Sequence, residues 1–165
     1  MILASFLLMF IFIGLICWKY GIPETISDSY YLTGEKPWFS IVMIVCGLLM
    51  IPKAILLSSS YWILGFSLFG ILNLWMTGLF PKFRPKGYQR TLHLIGARVS
   101  GVVAQVCVIL LGWPWIMLTW LLPIILFLNV WREKPEDLTV ALDKVRFIFW
   151  VELVCFVNLY IGLLL

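Results

Sequence analysis

Apolar residues in this chain are grouped into six long runs that are separated by short polar segments. A helix needs about 20 mainly apolar residues to cross a membrane, and each run approaches that length. The pattern therefore predicts an all-α integral membrane protein with six transmembrane helices in one bundle, forming a single domain. The predicted spans cover about residues 1–19, 37–53, 61–80, 91–111, 113–131 and 147–165.

The polar segments between the spans carry local signals of their own. In the segment 21–36, Ser27 or Asp28 is predicted to cap a short turn. Pro123 is predicted to kink the fifth span. The segment 135–146 begins with a helix-start signature and is predicted to form a short amphipathic helix on the membrane surface. Its apolar positions recur at helical spacing, at Leu138, Leu142 and Val145.

Composition supports the membrane assignment and excludes several other classes. The chain is 63% hydrophobic and 12% charged, whereas a soluble domain is about 25% charged. The six spans leave only short loops and no room for a soluble domain. The basic residues flank the spans instead of forming a patch, so nucleic acid is not an expected partner. The four cysteines lie in apolar runs without a C-x-x-C spacing, and we interpret them as small hydrophobic residues.

The basic residues also predict an orientation, because short loops rich in Lys and Arg stay in the cytoplasm. We call the side that holds both termini side A and the opposite side side B. Side A holds Lys53 alone, so side B is predicted to be cytoplasmic and both termini extracytoplasmic. The ten cations of side B are Lys19, Lys36, Lys82, Arg84, Lys86, Arg90, Arg132, Lys134, Lys144 and Arg146.

Charged residues inside the spans indicate a polar pocket near side B. Arg98 lies in the fourth span about five residues deeper than His93, and translocon-type scales assign an arginine a cost of roughly 2.5–3.5 kcal/mol at the bilayer centre and less nearer the interface. Glu152 lies at a similar depth in the sixth span, so we predict that the two residues pair. The pair is either a structural neutralisation of two charges or part of a charged pocket open to the cytoplasm. The other predicted ligand-binding residues are Asn73, Thr77, Asn129, Tyr30 and Tyr31.

His93, the single histidine, begins the fourth span at the same side. One interpretation is a hydrogen-bonded structural residue. Another is a general base that acts beside Asp28 or Ser27, which makes these three the candidate catalytic residues. A metal site would need further ligands, and there is no second histidine, so we expect no metal and no cofactor. No signature of a known nucleophile elbow, zinc protease, phosphate loop or dinucleotide site occurs.

Three short patterns carry a family resemblance. They are Pro23-x-x-Ile26-Ser27-x-Ser29-Tyr30-Tyr31, Gly78-x-x-Pro81-x-Phe83 and His93-x-x-Gly96-Ala97. Through them the chain resembles a group of small, uncharacterised multi-helix membrane proteins of Bacteroides-type bacteria and their phages. The resemblance implies a multi-pass protein of the bacterial inner (plasma) membrane, in which the Ser-Tyr-Tyr loop and the histidine belong together.

A looser similarity links the chain to the CREST superfamily of membrane hydrolases, which use Ser, Asp and His residues near one membrane face. The chain departs from that superfamily in having a single histidine and too few helices.

Three function classes follow from these observations. The first, which we favour, is a protein whose cytoplasm-facing pocket binds a small polar or anionic ligand or a lipid headgroup. The second is an intramembrane lipid or amide hydrolase that uses His93 with Asp28 or Ser27. The third is a structural or regulatory subunit of a membrane complex. Membrane lipids are the expected partners, with a second copy of the chain or another membrane protein as alternatives.

Overall fold

The computed structural model describes residues 1–133 and 137–165, and this part of the chain is helical without any strand. Six segments are long and apolar enough to cross a membrane, which confirms the all-helical prediction and its six candidate spans. In chain order the helices are α1 (Ile2–Tyr20), α2 (Ser29–Leu32), α3 (Trp38–Leu57), α4 (Tyr61–Leu79), α5 (Tyr88–Leu110), α6 (Leu121–Trp131), α7 (Leu138–Val145) and α8 (Phe147–Leu164). Two 3₁₀ segments, Ile26–Asp28 and Pro114–Trp120, precede α2 and α6.

The second predicted span is too short by one turn. It was expected to end near residue 53, but α3 continues through Pro52 to Leu57. An interior proline removes one backbone hydrogen bond, yet neighbouring helices let apolar helices tolerate it. The fourth span also begins earlier than expected, at Tyr88.

The fifth span begins with a 3₁₀ segment before its proline. Residues Pro114–Trp120 are 3₁₀-helical, and the α-helix begins only at Leu121, two residues before Pro123. Because Pro123 has no backbone N–H, the carbonyl four residues earlier receives no α-helical bond, which favours the tighter 3₁₀ form at that point.

Close contacts between helices and two buried networks of polar side chains stabilise the bundle. Gly96 of α5 lies directly against the backbone of α4, where an added Cβ would be 2.7 Å from the carbonyl oxygen of Asn73. Near side A, the hydroxyl of Ser5 donates to the carbonyl of Cys46 and lies 2.7 Å from the hydroxyl of Tyr160. These hydrogen bonds join α1, α3 and α8, so the first and last helices of the chain are connected to the core of the bundle.

A second network of polar side chains joins α5, α8 and the 3₁₀ segment before α6. Asn158 donates to the side-chain oxygen of Gln105 at 2.7 Å and accepts from the hydroxyl of Thr119 at 2.6 Å. Trp120 donates its indole N–H to the same oxygen of Gln105. Because a buried polar group costs free energy unless it is paired, this network favours one packing of the three segments.

A short helix, α7, is present in the segment where one was predicted. Asp137 caps it by accepting from the backbone N–H of Val140 at 2.9 Å. Ala141 and Val145 are buried against the bundle, whereas Leu138 is 52% exposed. Pro135 and Glu136, which were expected to start this helix, lie outside the described residues.

Candidate functional site

A cavity of about 590 Å³ lies between α3, α4, α5 and α8. Along α5 its lining residues run from His93 to Leu111, which corresponds to about 27 Å at 1.5 Å per residue. Its walls are mainly apolar over this length. Its histidine and its two charged side chains lie towards the side B end, where the lining includes Thr25, Ser27, Thr77, His93, Arg98 and Glu152.

His93 is almost completely buried at this end, with 2% of its surface exposed. Its Nδ1 lies 2.9 Å from the carbonyl oxygen of Phe80 and 3.1 Å from that of Thr77. Its Nε2 lies 3.0 Å from the hydroxyl oxygen of Ser27. Carbonyl oxygens only accept hydrogen bonds, so the neutral ring carries its proton on Nδ1 and Nε2 accepts from the hydroxyl of Ser27.

The chain reaches this geometry for a local reason. The last carbonyls of a helix have no partner within the helix, and α4 ends at Leu79. The imidazole therefore fills a position where backbone acceptors are available. Phe83 stacks on one face of the imidazole ring, with 4.8 Å between the ring centroids and 19° between the ring planes. The ring is thus fixed in both tautomer and orientation.

Ser27 belongs to a tight 3₁₀ turn whose cap is Thr25, and not Ser27 or Asp28 as predicted. The hydroxyl of Thr25 accepts from the backbone N–H of Asp28, and the carboxylate of Asp28 accepts from the backbone N–H of Thr25 at 3.0 Å. The second carboxylate oxygen of Asp28 accepts from Arg84 at 2.9 Å. Both oxygens are therefore occupied, and Asp28 stabilises the turn instead of contacting His93.

Glu152 holds the same turn from the opposite side. One of its carboxylate oxygens accepts from the backbone N–H of Ile26 at 2.6 Å. Arg98 lines the same cavity, but no ion pair joins it to Glu152, so the predicted pairing is wrong. Among the described residues the ion pairs are Lys82–Glu35, Arg84–Asp28, Lys144–Glu133 and Arg146–Glu24.

Four of the other predicted ligand residues do not line the cavity. Asn73 donates to the carbonyl of Phe69 within its own helix. Tyr30 is packed in the apolar core. The hydroxyl of Tyr31 accepts from the backbone N–H of Arg84, whose guanidinium lies over the tyrosine ring at 4.5 Å.

Asn129 is exposed on α6 and away from the cavity. Asn129 was assigned to the pocket because it lies near the side B end of the fifth span, and depth alone does not determine which face of a helix a residue occupies. The 3₁₀ segment Pro114–Trp120 also changes the faces of the residues that follow it, since its seven residues turn about 120° each instead of about 100°.

Two residues of the site, Thr25 and Phe83, were not predicted from the sequence. The pattern Thr25-x-x-Asp28 is a capping-box arrangement, so the turn could have been placed correctly. Phe83 gave no comparable signal, because its contact with His93 depends on how the 80–87 loop folds back. Beside it, the hydrogen bond from Lys82 to Glu35 raises the pKa of Lys82 and ties that loop to the end of α2.

No group of three His, Cys, Asp or Glu side chains that could hold a metal ion occurs in residues 1–133 and 137–165. Comparisons with protein-family models, with curated proteins and with solved structures found no match to the chain. The site is therefore interpreted from its own geometry.

Proposed function

We propose that the chain is a multi-pass membrane protein whose cavity binds a single-chain amphiphile with an anionic head, such as a fatty acid or a lysophospholipid. The observation that carries the proposal is that the cavity combines a long, mainly apolar part with one end that holds His93 and its two charged side chains. Ligand pockets of about 300–1,000 Å³ usually combine apolar walls with a few polar groups, and the volume of about 590 Å³ falls in that range.

Arg98 determines the charge of the proposed ligand. It is the one Lys or Arg among the residues that line the cavity, and it has no ion-pair partner in the part of the chain that the structure describes. Glu152, the one acidic lining residue, is hydrogen-bonded to the backbone of Ile26. A carboxylate or phosphate head placed at the polar end would give Arg98 the partner that a cation within a membrane requires.

The proposed orientation puts this polar end at the cytoplasmic face, with both termini outside. The ten flanking cations support it, because the order of the predicted spans assigns them to the same side as His93, Arg98 and Ser27. The family resemblance supports the inner membrane of a bacterium. In this orientation the headgroup of the ligand would reach the cavity from the cytoplasmic leaflet, while the apolar tail would extend towards side A.

The test compares palmitate with hexadecanol, which has the same chain length but no charge, on the protein in mild detergent. Competition with a fluorescent fatty acid reports both affinities. We expect palmitate to bind at least ten-fold more tightly, since a hydrogen bond to a charged group is worth about 1.5–3 kcal/mol. Arg98→Gln should remove this difference, whereas Arg90→Gln, on the same helix but outside the cavity, should preserve it.

The opposite results are equally clear. Equal binding of both compounds to the unaltered protein would contradict an anion site at Arg98. Ala97→Phe, which fills the cavity wall, should abolish binding of both compounds. If Ala97→Phe binds them unchanged, or if neither compound binds the unaltered protein, the cavity is not the binding site. A role in binding another membrane protein would then be favoured.

A further inference from the structure

The contact between Ser27 and His93 resembles an activated nucleophile and its base. The two side chains lie 3.0 Å apart, within the 2.6–3.2 Å reach of a general base, and both line the polar end of the cavity. We propose that Ser27 is the nucleophile and His93 its general base in hydrolysis of a single-chain carboxylic ester bound in this cavity. The inference rests on the proposed amphiphile binding and assigns a reaction to the same site.

The proposed reaction balances with water as its only co-reactant. The hydroxyl of Ser27 attacks the ester carbonyl carbon while Nε2 of His93 takes its proton. A bond forms between the serine oxygen and the acyl carbon, the bond to the leaving alcohol oxygen breaks, and the imidazolium returns the proton to that alcohol. Water, deprotonated by the same nitrogen, then attacks the acyl carbon of the acyl-serine, the bond between that carbon and the serine oxygen breaks, and the imidazolium returns the proton to the serine oxygen, which releases a fatty acid and restores the free serine.

The surroundings of His93 fit this cycle. In a serine–histidine–aspartate triad the carboxylate holds the imidazole in the correct tautomer and stabilises the imidazolium. In this chain the carbonyl oxygens of Phe80 and Thr77 accept from Nδ1 and perform the same two tasks without a carboxylate. Because these acceptors are neutral, the stabilisation of the imidazolium is weaker, and a slow turnover is expected.

The turn that carries Ser27 is held rigidly on both sides of it. The backbone N–H before it, that of Ile26, donates to Glu152, and the residue after it, Asp28, binds Arg84. Two separate segments of the chain thus hold the turn that carries this hydroxyl group. A nucleophile needs this kind of preorganisation, and Arg98 adds a positive charge to the same cavity, which favours the negative charge that develops on the acyl oxygen.

A long-chain alkyl fluorophosphonate tests the nucleophile directly, since it forms a stable adduct only with an activated serine. The full chain in mild detergent should gain the mass of one adduct, and peptide mapping should place it on Ser27. Ser27→Ala should abolish the adduct. Ser29→Ala is the matched control, because Ser29 lies on the same segment, is equally buried and does not line the main cavity. His93→Gln should slow labelling at least 100-fold.

Turnover and binding are then measured together with 1-palmitoyl lysophosphatidic acid, an ester with the anionic head that the proposed function requires, and with its non-hydrolysable ether analogue. We expect release of palmitic acid by the unaltered protein, loss of release in Ser27→Ala, and binding of the ether analogue by both. Binding of the analogue without labelling or release would overturn the inference while leaving the proposed cavity intact. Failure of both the analogue and palmitate to bind would overturn the proposed function as well. Labelling unaffected by His93→Gln would contradict the role of the histidine.

Discussion

Gly96 is the position where one added methyl group should disturb the site most. In Gly96→Ala the new Cβ would lie 2.7 Å from the carbonyl oxygen of Asn73, 2.8 Å from the hydroxyl of Thr77 and 3.0 Å from its backbone nitrogen. Two of these atoms belong to the backbone of α4, which cannot rotate away as a side chain can. To restore an ordinary contact of 3.4 Å, the two helices must separate locally by about 0.7 Å.

The magnitude follows from two opposing effects. Overpacking of a well-packed interior costs about 1–3 kcal/mol, and contact with backbone favours the upper end. Replacing a helical glycine by alanine returns about 1 kcal/mol of helix propensity. The expected net loss is therefore about 2 kcal/mol. The matched control is Gly101→Ala on the same helix, whose Cβ would meet only Cys155 at 3.6 Å, so it should gain up to about 1 kcal/mol.

Thermal unfolding in mild detergent, followed by tryptophan fluorescence, measures the difference between the two variants. At about 2–4 °C per kcal/mol for a chain of this size, Gly96→Ala should unfold roughly 4–8 °C below the unaltered protein. Because the carbonyl of Thr77 also holds His93, the same variant should label more slowly with the fluorophosphonate. If Gly96→Ala were as stable as Gly101→Ala, the argument from close approach of α4 and α5 would be wrong.

Two further predictions concern charge. In a double-mutant cycle of unfolding free energies, Asp28→Asn and Arg84→Gln should show a coupling of about 0.5–1 kcal/mol, which the exposure of the arginine keeps small. Arg98→Gln and Glu152→Gln should instead give additive losses, because the two side chains form no ion pair. Equal couplings in the two cycles would contradict the assigned contacts. A reporter enzyme that is active only in the cytoplasm should work when inserted near Gly87 and fail when fused to the C-terminus, and the reverse pattern would refute the proposed orientation.

The spans could be predicted from the sequence because a membrane helix is encoded by length and hydropathy, which are local properties. The residues at which the helices end could be predicted less well from the sequence. The second span was expected to end near residue 53, yet α3 passes through Pro52 to Leu57, since in an apolar bundle the surrounding packing decides whether one lost hydrogen bond ends the helix. The 3₁₀ form of Pro114–Trp120 was also missed.

For the site, the sequence predicted which segments lie close together, but not which side chains contact each other. Placing His93 and the Ser27–Asp28 segment at the same membrane side required nothing beyond the order of the spans. Choosing between Ser27 and Asp28 as the partner of the histidine required the direction of each side chain. That direction is set by the turn, in which Thr25 occupies the carboxylate of Asp28 and turns the adjacent serine towards the ring.

The failed pairing of Arg98 with Glu152 shows why equal depth is an insufficient criterion in a bundle. Depth follows from counting residues, but contact also requires that the two side chains project towards each other. It further requires that no better partner is closer. The first N–H groups of any helical turn have no acceptor within the turn, and leaving one unsatisfied in an apolar environment costs several kcal/mol. The N–H of Ile26 is such a group, and the carboxylate of Glu152 satisfies it at 2.6 Å. The backbone therefore takes the acidic partner, and Arg98, an exposed residue of the cavity lining, has no ion pair among the described residues, which is the feature on which the proposed anion site depends.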